Sequence, residues 1–419
     1  MYIVLHSKMP LAHAGIWFLL QSFVGLCEAA RGGLLATATI RFYAGTDKDR
    51  AATVLGSVWF LAIGFSAILL SVNGLALFYL PYTTNYELIL GIKWIGINYL
   101  SSLPSDVVLW RLQADEQYAK MFWFKLINSS STIGSFIILA LLHQFTLENV
   151  ILWNLLTNCS SSLIGLIWYR SGIRYITKRT KKCVSEIFHY GKYTFGTTLF
   201  SNLLGNTNIW IINIVLGPAS IAIFYLAMRL VAYIDMPLRA FATTGMSEMA
   251  IANNTNNTEL VGYLFRKYAG MITVLFIPFA ILACILASIP IHILGGASFA
   301  GEDGDLAANI LRLAMILALA NPIDQFNGIA LDITHHTKVN FFKMVLVIST
   351  KIILGLVFTG ILKNLYGIII ANYISMIISI IYGYYQLRKF IPHTIPGILL
   401  IGYKELLLFL RNWFKFSKK

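Results

Sequence analysis

Charged and amide side chains inside apolar runs mark where this sequence could do chemistry. Arg229 lies near the middle of Gly217–Arg239, which reads GPASIAIFYLAMRLVAYIDMPLR and opens at a Gly-Pro turn. An ionisable residue in such a run is costly and points to a protein interior or a water-filled cavity. At 1.5 Å per residue, Arg229 is about 15 Å from the end of its run, near the middle of a bilayer. It has no acid three or four residues away. Its planar fork of donors suits phosphate oxygens, so the chemistry read here is binding of a diphosphate-like anion. Lys351 is a second cation near mid-depth, where its stem barely reaches either interface. Lys93 and Arg312 lie nearer the end of their runs and can snorkel.

Carboxylates and amides form the second group. Glu28 and Arg31 are three residues apart, and Asp235 and Arg239 are four apart. Each pair can close on one helix face, as a structural pair or as the lining of an inner vestibule. Asp106 and Asp324 each follow a proline, Pro104 and Pro322, by two residues. Proline frees backbone groups that polar neighbours or water must satisfy, so these positions read as hinges or as an ion-coupling relay. Asn202, Asn206 and Asn213, spaced four and seven apart, share one helix face. Such amides can bind sugar hydroxyls or hold helices together.

The elements that must position these residues are membrane helices. The chain has 419 residues, 58% hydrophobic and 12% charged, with a mean hydropathy of +0.72. A soluble domain carries roughly a quarter charged residues. The fold class expected is all-α, a polytopic membrane protein of about eleven transmembrane helices. Their positions are 11–40, 53–80, 86–110, 121–143, 149–169, 193–216, 219–250, 268–294, 305–331, 340–362 and 365–387. The tail that follows, with Pro392, Pro396 and LLLFLRNWFKFSKK, is aromatic and basic and reads as an interfacial helix.

The formal charge is +14. Lys and Arg concentrate in alternate loops, which records orientation and speaks against nucleic acid as a partner. The segments 41–52, 111–125 and 170–192 are basic, whereas PYTTNY, HQFTLEN and LGPAS carry no base. This pattern predicts a cytoplasmic C-terminus and an external N-terminus. No cleavable signal peptide is read at the start. An odd helix count with that orientation suggests that a first helix is missing from the N-terminus. The four cysteines show no C-x-x-C spacing, so neither a disulfide framework nor a metal site is expected.

An internal repeat divides the chain. An offset of 208 aligns Pro10 with Pro218 and Arg31 with Arg239. An offset of 218 aligns Pro104 with Pro322, Asp106 with Asp324, Lys120 with Lys338 and Lys125 with Lys343. The expected plan is two pseudo-symmetric lobes. Residues 1–170 form an N-terminal lobe of about five helices and 171–192 a basic linker, while 193–388 form a C-terminal lobe of about six and 389–419 a basic cytoplasmic tail.

The stretch EIFHYGKYTFGTTLFSNLLGNTNIWIINIVLGPASIAIFYLAMRL carries Tyr190, Gly191 and Tyr193, then Leu216 and Gly217, then Tyr225, Arg229 and Leu230. It resembles the start of the second half of bacterial polysaccharide flippases, the O-antigen and capsule transporters of the multidrug/oligosaccharidyl-lipid/polysaccharide exporter superfamily. Members usually have twelve or fourteen helices, and many carry an acid where this chain has Asn208. The resemblance implies export of an undecaprenyl-diphosphate-linked oligosaccharide across the bacterial inner membrane by alternating access. It implies no covalent chemistry and no cofactor, with coupling to an H+ or Na+ gradient. The implied partners are lipid-linked oligosaccharide, membrane lipids and the polysaccharide polymerase machinery. In this reading Arg229, Lys351, Arg239, Arg31, Asn202, Asn206, Asn213, Arg312 and Lys93 handle substrate. Asp106, Asp324, Pro104, Pro322, Asp235 and Glu28 serve as hinge or ion-coupling residues. A multidrug exporter of the same fold would prefer an acidic, aromatic cavity, whereas the central charges here lean basic. A membrane enzyme of polysaccharide assembly would be expected to present a substantial loop or domain outside the bilayer, and the loops here are short.

Overall fold

The computed structural model describes residues 8–44, 46–84, 86–169, 171–255, 257–299, 301–391 and 395–416. Every regular element among them is helical. The chain divides into two compact units, the first ending at Ile209 and the second beginning at Trp210. The division falls inside a helix and not at the basic stretch 171–192, which holds a 3-10 segment, Ile173–Lys178, and the start of that helix.

The first unit contains α1 (Leu11–Tyr43), α2 (Lys48–Leu77), α3 (Tyr86–Ala114), α4 (Tyr118–Leu141), α5 (Leu147–Ile167) and the first part of α6 (Lys181–Leu216). Local chemistry sets several starts. Asp47 caps α2 by accepting from the Arg50 N–H, and Thr146 caps α5 by accepting from Asn149. Close approaches then lock the packing. A side chain at Gly191 of α6 would strike the Leu34 carbonyl of α1, and Thr194 Oγ1 donates to the Gly33 carbonyl at 2.6 Å. Small residues and such bonds substitute for the hydrophobic drive that lipid does not supply. The 3-10 segment straps α2, with Gly56 against the Tyr175 carbonyl and Trp59 Nε1 donating to Ser171 O at 3.0 Å.

The second unit begins in α6 and continues through α7 (Pro218–Asn254), α8 (Thr258–Leu286), α9 (Ser288–Gly295), α10 (Glu302–Ala318), α11 (Asn321–Ile333), α12 (Thr337–Leu362), α13 (Tyr366–Leu387) and α14 (Ile395–Phe416). Two spans are broken. α7 bends by 51° between Pro218–Tyr233 and Asp235–Asn253, and α10 meets α11 at 41°. Pro237 explains the first, because its ring displaces the bond to the Tyr233 carbonyl. Pro322 sits in the first turn of α11 and starts a new helix there.

By length and composition eight helices among the described residues are able to cross a membrane, or ten counting each bent pair as one span. The remaining expected span is α3, whose apolar run is diluted by Lys93, Asn98, three serines and Pro104. The tail is a 22-residue helix docked along α8, not one resting on lipid alone. Gly402 and Gly270 bring the two backbones into contact, and Tyr263 Oη donates to Glu405 Oε1 at 2.7 Å.

Gly165 of α5 abuts Val108 of α3, and Gly383 of α13, 218 positions later, abuts Asn327 of α11, one position past the counterpart of Val108.

Candidate functional site

A polar cluster surrounds the proline–aspartate pair in each unit. In the first, Arg31 is fully buried, at 0% exposure. Its Nη2 donates to Asp106 Oδ2 at 2.6 Å and to Ser102 Oγ at 2.8 Å. Its Nη1 donates to the Tyr99 carbonyl at 3.1 Å and Ser66 Oγ at 3.4 Å, and the guanidinium lies 4.2 Å over the Tyr99 ring. One side chain thus joins α1, α2 and α3. This corrects two expectations for Arg31. It salt-bridges Asp106 of another helix, where the i,i+3 spacing suggested Glu28, and burial removes it from any substrate. The physical reason is that a buried guanidinium needs a counter-charge and several acceptors at once.

In the second unit, Asp324 Oδ1 accepts from Lys343 Nζ at 2.9 Å and from Ser379 Oγ at 2.5 Å, joining α11, α12 and α13. Lys343 Nζ also donates to the Asp324 carbonyl at 3.2 Å. The repeat counterparts of the two cations, Arg239 and Lys125, are exposed. Each half therefore neutralises its aspartate from a different helix. Ser379, Tyr99 and Ser102 were not singled out in the sequence, and Lys343 was named only as the repeat counterpart of Lys125. For Ser102, the signal was its place one turn before Asp106.

Arg312 is likewise committed to structure. Its Nε donates to the Cys284 carbonyl at 3.0 Å, Nη1 to Asn309 Oδ1 at 2.6 Å and Nη2 to Ser288 Oγ at 3.1 Å. It staples α10 to the α8–α9 junction, where broken helix leaves carbonyls to satisfy, and so has little left for a substrate. Asn202 and Asn206 are half-buried and donate to carbonyls one turn back, Thr198 and Asn202. Asn213 is half-buried, Lys93 is exposed on α3, and Lys351 is half-buried midway along α12. Glu28 is half-buried on α1 one turn from Arg31.

Asp235, Arg229 and Arg239 lie at or near the break of α7 in the second unit. Asn321, which opens α11, donates to Asp235 Oδ1, which opens the second arm of α7, at 3.5 Å. The two bent helices thus meet at their bends. Arg229 precedes that point on α7 and Arg239 follows it, and both are exposed. A guanidinium within a span is costly in lipid and needs water or a counter-charge. Broken helices are the membrane's usual way of presenting backbone polar groups to a bound solute.

A model of the family described as polysaccharide biosynthesis protein matches residues 19–301. The chain belongs to that family. Its fold is shared with solved transporters. A lipid II flippase, MurJ, in an inward closed conformation is 17% identical, with a TM-score of 0.75, covering 99% of this chain and 89% of that one. A multidrug resistance MATE transporter of the MOP superfamily, inward-facing, is 16% identical with a TM-score of 0.72 and covers 93% of each. A MOP superfamily transporter from Pyrococcus furiosus, described as having a binding pocket of reverse polarity, is 14% identical with a TM-score of 0.59, covering 90% and 88%. No curated protein sequence matches. This family member is therefore a multi-pass membrane protein with the MOP transporter fold.

Proposed function

We propose that this protein flips an undecaprenyl-diphosphate-linked oligosaccharide, an O-antigen or capsule repeat unit, across the bacterial inner membrane. No covalent step is involved, and the C-terminus lies in the cytoplasm. The observation that carries the reading is an exposed Arg229 six residues before the Asp235–Asn321 meeting of two broken helices. Family membership supplies the glycan context. A diphosphate and hydroxylated sugars must both cross a layer that rejects them, and a hydrated cationic surface lowers that barrier. Arg229 holds the diphosphate, Arg239 and Lys351 extend the cationic surface, and movement at the bends exposes them to each side in turn. An H+ or Na+ gradient drives the cycle, with Asp235 as the carboxylate nearest the bends.

A multidrug exporter is the second reading, favoured by the likeness to the MATE fold. Deleting the gene separates the two. The flippase reading predicts loss of surface polysaccharide and build-up of lipid-linked repeat units on the cytoplasmic leaflet. Unchanged surface polysaccharide with raised drug sensitivity would establish the second reading instead.

A further inference from the structure

A cleft of about 460 Å³ opens where α3 ends, α4 begins and α5 ends. It is remote in sequence from the bends described above and lies wholly within the first unit. Its floor is Arg111, ion-paired to Asp115 at 3.3 Å, with side-chain exposures of 24% and 21%. That pair is close to neutral, so the net positive charge comes from Lys120, which is exposed in the first turn of α4. Gln117 is the N-cap position of α4 and makes no side-chain capping bond. An uncapped N-terminus adds partial positive charge to the same space. The far wall is aromatic. Tyr169 is held edge-on by Phe124 at 5.1 Å, and Trp168 stands beside it, 75% exposed.

Depth decides what such a cleft meets. Tyr118, Phe122, Trp123 and Trp168 are all more than half exposed around this end of α4 and α5. Tyr and Trp presented in this way mark the membrane–water boundary. Just inside it, Leu163 and Ile167 of α5 are 57% and 69% exposed, a surface for acyl chains. The cation is thus at phosphate level, the rings at glycerol level and the apolar residues below them.

The repeat argues against a scaffold requirement. At the equivalent positions, 218 residues later, Arg111 is replaced by Ile329, Asp115 by Ile333, Trp168 by Gln386 and Tyr169 by Leu387. Only Lys120 has a like counterpart, Lys338. The same fold closes that end with apolar packing, in which Ile333 and Leu387 are core residues. At these described positions the polar, aromatic lining is found in the first unit and not in the second.

From this we infer that the cleft is a binding site for the headgroup of an anionic phospholipid, whose phosphate sits between Lys120 and the start of α4 and whose glycerol region packs on Trp168. The site holds a resident lipid against the first unit and is separate from the residues proposed to carry the transported substrate.

The test uses the purified full-length protein and native mass spectrometry with phosphatidylglycerol, against phosphatidylcholine as the neutral control. A retained phosphatidylglycerol adduct is expected, weakened about fivefold in Lys120→Glu, in line with about 1 kcal/mol per interfacial lysine. Trp168→Ala should weaken it as well, while Lys338→Glu, the repeat counterpart, should leave it unchanged. Both lysines are exposed, so neither substitution threatens the fold. Equal adducts in the wild type and in both cleft variants would overturn the site. Displacement of the lipid by excess inorganic phosphate would overturn the lipid assignment in favour of a soluble anion.

Discussion

Asn321 and Asp235 meet at 3.5 Å, each at the first residue of a helix that follows a bend. This contact joins the two broken spans of the second unit at the points where they are free to pivot. The bond is long, so it tethers the bends without locking them. Proposed transport requires such a joint, since a lone proline kink would move only its own helix.

If the joint couples the bends, Asn321→Ala should slow export while the protein still accumulates. An ordinary hydrogen bond of about 1 kcal/mol would correspond to about fivefold, so a contact this long predicts a smaller drop, up to about threefold, in surface polysaccharide flux. Asp235→Asn keeps a partner for Asn321 and should be milder if the carboxylate serves only the joint. An Asp235→Asn protein as inactive as Asp235→Ala would show that its charge is needed too.

The Arg31–Asp106 pair should govern stability. Asp106→Ala leaves a fully buried guanidinium without its counter-charge, at a cost of about 3–5 kcal/mol. Thermal unfolding in detergent should show a large fall in Tm and low membrane yield. Replacing both, as Arg31→Met with Asp106→Leu, should recover much of the loss. Near-normal Tm in Asp106→Ala would contradict a structural role for Arg31.

Docking of α14 can be broken at one atom. A Cβ at Gly402 would collide with the backbone of Gly270. Gly402→Val should therefore release α14 and expose the chain after Ile391 to protease, with α1–α13 still resistant. A tail equally resistant in Gly402→Val would show that the Tyr263–Glu405 bond suffices.

How much of this was legible depends on the element. The spans were, because long apolar runs separated by short polar turns leave little choice in lipid. The first part of α6 was not. KKCVSEIFHYG reads as a basic linker, yet Cys183 and Ile187, one turn apart, are fully buried and Arg50 pairs with Glu186 at 2.6 Å. Tertiary packing made that stretch a helix, and the i,i+4 apolar spacing was its trace. The bend of α7 was written in Pro237, beside the charged residues that drew attention. Partners far apart in sequence were beyond reach. Nothing near Arg31 says that it will find Asp106, 75 residues away, before Glu28. Depth alone therefore could not separate the fully buried Arg31 and the half-buried Arg312 from Arg229, which is exposed.

The central claim rests on Arg229, and the most direct measurement is surface polysaccharide in Arg229→Ala at matched membrane abundance. The account predicts its loss, with lipid-linked repeat units retained on the cytoplasmic leaflet. Arg229→Lys should be partly active if charge dominates and nearly inactive if the two-pronged contact with phosphate dominates. Normal surface polysaccharide in Arg229→Ala at normal abundance would contradict the account and remove this residue from the transport path.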